Sequence, residues 1–137
     1  MASELFVDTS GFYAALVKGD DAHHRAVEIL GQARQGRQRF VTTDYVLDET
    51  ATLLRARGLG RLVEPVFSLV FDSAVCEVGW TDSETFSATR RYFQQHSDKS
   101  WSFTDCLSFV VMGRRHLRDA LTKDHHFRQA GFQPLLA

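Results

Sequence analysis

The chain has 137 residues, 44% hydrophobic and 24% charged, which are ordinary proportions for a globular domain with a sizeable core. A net charge of −1 excludes a generally basic nucleic-acid binder, and no apolar run reaches the length of a membrane span. The start, MASELFVDTS, lacks the basic residues and apolar stretch of a secretory signal, and two cysteines inside regular segments make no disulfide framework; a cytoplasmic location is expected.

In chain order, ELFVDTS reads as a short apolar strand ending in a polar turn. Residues 11–18 and 21–34 follow as helices, the second with Asp21 at its start. RQRFVTTD is a strand running into a helix over 45–57. GLGRLVEP turns into a very apolar helix, VFSLVFDS, and AVCEVGW is the next strand. TDSETFSATRRYFQQH opens with a Thr81-x-x-Glu84 capping box, and SFTDCLSFVVMGRRHL is a further helix. DALT is a short strand, HHFRQA a brief helix, and FQPLL a last strand after Gly131. No repeat, linker or boundary interrupts residues 1–137, so a single domain is expected. Strands alternating with helices predict an α/β fold with a mostly parallel sheet of about five strands covered on both faces. In such sheets sites collect beyond the carboxyl ends of the strands.

Four carboxylates stand at such places. Asp8 follows Leu5-Phe6-Val7, Asp124 follows Ala120-Leu121-Thr122, Asp105 begins the SFTDCLSFVVM helix, and Glu49 lies just after the second strand. Bland roles compete: Asp8 as a helix cap, Asp105 in a Ser102-x-x-Asp105 capping box, and Asp124 capping through His126. Glu49 has the weakest bland account. Three and four residues from it stand Tyr45, Val46, Thr52 and Leu53, so it leans toward the apolar stripe, whereas neighbouring Asp48 lies on the wetter side. Carboxylates on apolar faces cost several kcal/mol to desolvate unless paired or bound to a cation. Gathered at one sheet edge they repel, and a divalent cation resolves the conflict. Oxygen donors without Cys or His at ligand spacing point to Mg²⁺ or Mn²⁺ and to metal-assisted hydrolysis of a phosphodiester.

His23-His24 and His125-His126 are adjacent pairs whose rings diverge on a helix, so neither is a good chelate, and His125 is the one set near Asp124. Thirteen Arg against three Lys, several clustered, suit local phosphate contacts.

FVDTSGFYAAL at 6–16, TTDYVLDETATLL at 42–54, SFTDCLSFVVM at 102–112 and LTKDHHFRQAGF at 121–132, in that order, resemble the PIN-domain nucleases. The likeness is greatest to the short VapC-like toxins of type II toxin–antitoxin pairs. The late Thr-x-Asp-x-x-Phe, 19 residues beyond Asp105, is the most specific segment. The resemblance implies a three-layer α/β/α PIN-like (Rossmann-like) fold. It implies that Asp8, Glu49, Asp105 and Asp124 form a metal-binding catalytic cluster, supported by the hydroxyls of Ser10 and Thr122. It further implies Mg²⁺ or Mn²⁺ as cofactor, RNA as substrate, a homodimer, and a small antitoxin that inserts a basic side chain among the acids.

Other classes remain in view: a PIN-fold nuclease that is not a toxin, and a non-catalytic module binding RNA or protein. An Asp-based phosphoryl-transfer protein fits worse. One such family wants a second Asp two residues after its nucleophile, where this chain has Ser10. The helix holding Val66, Phe67, Leu69, Val70 and Phe71 carries more apolar surface than one face can bury, and a homodimer interface is expected there.

Overall fold

The computed structural model describes residues 3–137. The apolar runs form strands β1 (Glu4–Val7), β2 (Arg39–Thr43), β3 (Cys76–Gly79), β4 (Asp119–Leu121) and β5 (Gln133–Pro134). Between them lie helices α1 (Thr9–Leu16), α2 (His23–Gln35), α3 (Asp44–Ala56), α4 (Val63–Phe71), α5 (Ser83–Gln95), α6 (Phe103–Arg114) and α7 (His126–Gln129), with a 3-10 turn at Gly60–Leu62. The strands make one sheet in the order β3-β2-β1-β4-β5, and every pairing is parallel.

Right-handed crossovers then dictate the layers. The chain steps one way along the sheet from β1 to β3, which puts α1 to α4 on one face, and returns to β4 and β5, which puts α5 to α7 on the other. Contacts agree: α1 packs on α2 and α3, α3 on α4, α5 on α6, and α6 on α7. This is the expected three-layer α/β/α arrangement. Because both faces are covered, Leu5, Phe6 and Val7 of β1 are all buried, and the strand reads as a continuous apolar run rather than an alternating one. The order of strands reverses between β1 and β4, and the carboxyl ends of these two central strands bound the crevice where the fold places ligands.

Two helix starts differ from expectation. Thr81 does not cap α5: Asp82, in extended conformation, holds the cap and accepts the Thr85 amide at 2.7 Å. Thr81 is drawn instead to Asp44, donating its hydroxyl at 2.6 Å and its amide at 3.0 Å, which ties the loop after β3 to the start of α3. Nor does Asp21 cap α2. Asp20 accepts the Ala22 amide at 2.8 Å, and Asp21 pairs with Lys123 across the chain. The Ser102–Asp105 capping box forms in full.

Helix α1 lies directly on β4. A Cβ at Gly11 would stand 2.0 Å from the Leu121 carbonyl oxygen, so only glycine permits this approach. The substitution Gly11→Ala is expected to cost about 1–3 kcal/mol or more by overpacking against backbone. Chemical denaturation of the two proteins side by side measures it; equal midpoints would refute the close packing.

Candidate active site

The parallel sheet delivers several polar residues to one edge. Asp8 is the first residue past β1 and takes the N-cap position of α1, yet its carboxylate makes no capping hydrogen bond there. It accepts the Thr122 hydroxyl at 2.8 Å instead. Thr122 has a single proton, so when Asp8 is ionised Ser10, 3.0 Å away, donates to Thr122. Ser10 in turn accepts the Lys123 amide at 2.8 Å, and Thr122 accepts the Asp124 amide at 3.0 Å. The ends of β1 and β4 are thus stitched through hydroxyls, and the next residue along, Asp124, is aimed by the same network.

Asp105 arrives from α6. Its Oδ2 accepts the Ser102 amide at 3.1 Å, so the capping role and the position in the cleft coexist. Glu49 comes from α3, half-buried, while Asp48 is exposed, as the helical phase requires. Asp8, Glu49, Asp105 and Asp124 all line one cleft of about 280 Å³, together with Tyr13, Asp20, Arg57 and Lys123.

Electrostatics mark the cleft. Asp8 is only 5% exposed, and burial pushes its carboxyl up to about 7, with repulsion from Asp105 and Glu49 adding to the rise and the Thr122 hydroxyl opposing it. Holding it ionised without a counter-cation costs on the order of 4 kcal/mol. Asp105 is also raised, chiefly by burial and further by Asp124, while the Ser102 amide and His126 pull the other way. Both cysteines are free, and burial pushes each thiol up to about 11, so neither offers a thiolate.

His126 and Arg57 are site features that sequence reasoning did not single out. His125, the histidine set near Asp124 in sequence, is exposed. The His126 ring turns toward two of the cleft's acids, its Nδ1 3.3 Å from Asp105 Oδ2 and 3.3 Å from Asp124 Oδ1. Two local causes act. The His126 amide donates to Asp124 at 2.8 Å, closing a tight turn, and adjacent Phe127 is wholly buried against Phe109, ring centroids 5.0 Å apart. Burying that ring contributes roughly 2–3 kcal/mol, which a four-residue helix cannot supply by itself. A signal was present in the sequence: Asp-x-His followed by a large apolar anchor. Arg57 places its guanidinium 4.9 Å over the Tyr13 ring at the cleft, whereas Lys123 is held by Asp20 and Asp21.

The donor set fits a divalent cation. Oxygens of Asp105 and Asp124 and a ring nitrogen of His126 lie within 4.8 Å of one another, and buried Asp8 adds negative charge alongside.

Comparison with known proteins places the chain as a whole. The family model described as the PIN domain matches residues 5–133. The 23S rRNA-specific endonuclease VapC20 of Mycobacterium tuberculosis is 31% identical over 128 residues, covering 93% of this chain and 95% of its own. A VapC ribonuclease of Archaeoglobus fulgidus is 30% identical over 107 residues, 77% of this chain and 67% of that one. The crystal structure of M. tuberculosis VapC20, described as a Sarcin-Ricin loop cleaving toxin, superposes with a TM-score of 0.83 at 27% identity, over 94% of this chain and 96% of the other. A match over nearly the whole chain, in sequence and in backbone, leaves one conclusion: this chain belongs to the PIN domain family of nucleases, with VapC ribonucleases among its relatives.

Proposed function

We propose that the protein is a Mg²⁺- or Mn²⁺-dependent endoribonuclease, the toxin of a toxin–antitoxin pair, acting in the cytoplasm with Asp8, Glu49, Asp105 and Asp124 as its catalytic, metal-holding acids. The observation that carries the proposal is their convergence on one cleft, in which Asp8 is buried and its carboxyl raised to about 7. A divalent cation bound there would supply Lewis-acid stabilisation of phosphoryl charge and an acidified water as nucleophile. The protein's own share is positional. Ser10 and Thr122 fix the rotamer of Asp8 and the approach of Asp124, the Ser102 amide fixes Asp105, and Arg57 on Tyr13 offers a guanidinium to a phosphate. Local cation placement of this kind supports RNA binding by a chain of net charge −1. VapC20 is named for 23S rRNA and the sarcin–ricin loop, so a hairpin of that loop is the first substrate to try. A small antitoxin carrying a basic side chain would complement the same acids.

Cleavage of that hairpin with Mg²⁺ or Mn²⁺ is expected to fall roughly 10²-fold or more in Asp8→Asn and in Glu49→Gln. It should survive in Asp48→Asn and vanish on chelation. Activity that persists through both substitutions and chelation overturns the mechanism.

The raised Asp8 carboxyl sets a pH dependence. Its folded value of about 7 exceeds the unfolded 3.8, so its stabilising contribution is complete below about pH 4 and is lost as pH rises through 7. At pH 8 the metal-free Asp8→Asn protein should melt about 3–10 °C above wild type. Saturating cation should close that gap. A metal-free wild type no less stable than the variant at pH 8 argues against the buried, raised acid.

The homodimer belongs to the same proposal. On α4, Val66 and Val70 are buried, but Phe71 is 52% exposed and stacks on Trp80, itself 67% exposed. Sedimentation at micromolar concentration should show a dimer that Phe71→Ala/Trp80→Ala dissociates; a wild-type monomer refutes it.

A further inference from the structure

His126 has no part in an all-carboxylate site, yet its ring nitrogen stands close to the carboxylates of two of the acids. Nδ1 stands 3.3 Å from Asp105 Oδ2 and 3.3 Å from Asp124 Oδ1, and all three donor atoms fall within 4.8 Å of one another. Adjacent ligands on an octahedral ion with bonds of about 2.1–2.2 Å lie roughly 3 Å apart, so this spacing needs little adjustment to close on a cation. The other ring nitrogen, Nε2, is 3.4 Å from the Ser100 hydroxyl. With Nε2 carrying the proton toward Ser100, the Nδ1 lone pair faces the two carboxylates, the arrangement by which an outer hydrogen bond sets the tautomer of a ligating histidine. The backbone holds the ring in place from both sides, through the amide bond to Asp124 and the buried Phe127.

We propose that His126 Nδ1 is a ligand to the same cation as Asp105 and Asp124, which makes the centre a mixed nitrogen–oxygen site that prefers Mn²⁺ to Mg²⁺. This rests on the cation-dependent reading above and sharpens it. Mg²⁺ keeps to oxygen ligands and gives up its waters reluctantly, whereas transition ions accept imidazole nitrogen. Mn²⁺ tolerates both donor types, and it gains more from a histidine ligand than Mg²⁺ does. Asp8 and Glu49 add charge that draws either ion equally, so the choice between ions falls to His126.

The test uses the full chain, stripped of metal and then titrated with Mn²⁺ or Mg²⁺ by calorimetry, with pulsed electron paramagnetic resonance on the Mn²⁺-loaded protein. Imidazole ¹⁴N coupling is expected in wild type and in His125→Ala and should be absent in His126→Ala. The His126→Ala substitution should weaken Mn²⁺ by at least about 10-fold while leaving Mg²⁺ affinity little changed. Should that variant fail to fold, ¹⁵N-histidine labelling of wild type and of His125→Ala gives the answer without it. Mn²⁺ bound with no nitrogen coupling, or equal losses of both ions, overturns the ligand assignment and leaves the acidic site standing. A wild type that binds neither ion overturns both.

Discussion

The hydrogen bond from the Thr122 hydroxyl to the Asp8 carboxylate, at 2.8 Å, ties a buried acid to the junction of the two central strands where the sheet reverses its order. Its partners are 114 residues apart in sequence. Around it the Ser10 hydroxyl and the amides of Lys123 and Asp124 close a network, and among the described residues no fully buried side-chain polar atom lacks a partner. An acid this deeply placed is held by that network rather than by solvent. The close contact of α1 with β4 at Gly11 keeps the two halves near enough for it to form.

The same burial creates the conflict that the cleft is built around. Asp8 sits among Asp105 and Glu49, and each added negative charge raises the others' cost of ionisation. Proteins retain such arrangements where something supplies opposite charge. Among the described residues the nearby lysine is already committed to Asp20 and Asp21, and the arginine at the cleft lies over Tyr13. The aromatic packing beneath explains the precision of the far side: Trp101 binds Gln129 through its indole nitrogen at 2.9 Å, and Phe109 stacks with Phe132, so α7 is locked to α6. Asp124 and His126 inherit their positions relative to Asp105 from that lock.

Likeness to VapC20 extends over nearly the whole of both chains, with a TM-score of 0.83, so the overall backbone is shared. The outer surface differs in kind from the cleft. Phe71 and Trp80 expose stacked rings on the α4 side, and Phe86 and Phe93, each tilted against Phe103, are exposed on α5, apolar area that a cleft of polar groups does not use.

The sequence by itself determined the class of fold, the order of elements and the stations of the four acids. Those depend on local physics: apolar runs long enough for strands, helical periods, and the rule that parallel strands share one carboxyl edge. The phase of Glu49 against Asp48 was legible for the same reason, being a property of one helix. Only the tertiary structure decided which polar groups meet. Thr81 serves Asp44 rather than its own helix, Asp21 serves Lys123, and His126 rather than His125 turns toward the acids, because each outcome depends on a partner 21 to 102 residues away. Local pattern sets where a side chain leaves the backbone; packing of distant elements sets what stands within 3 Å of it.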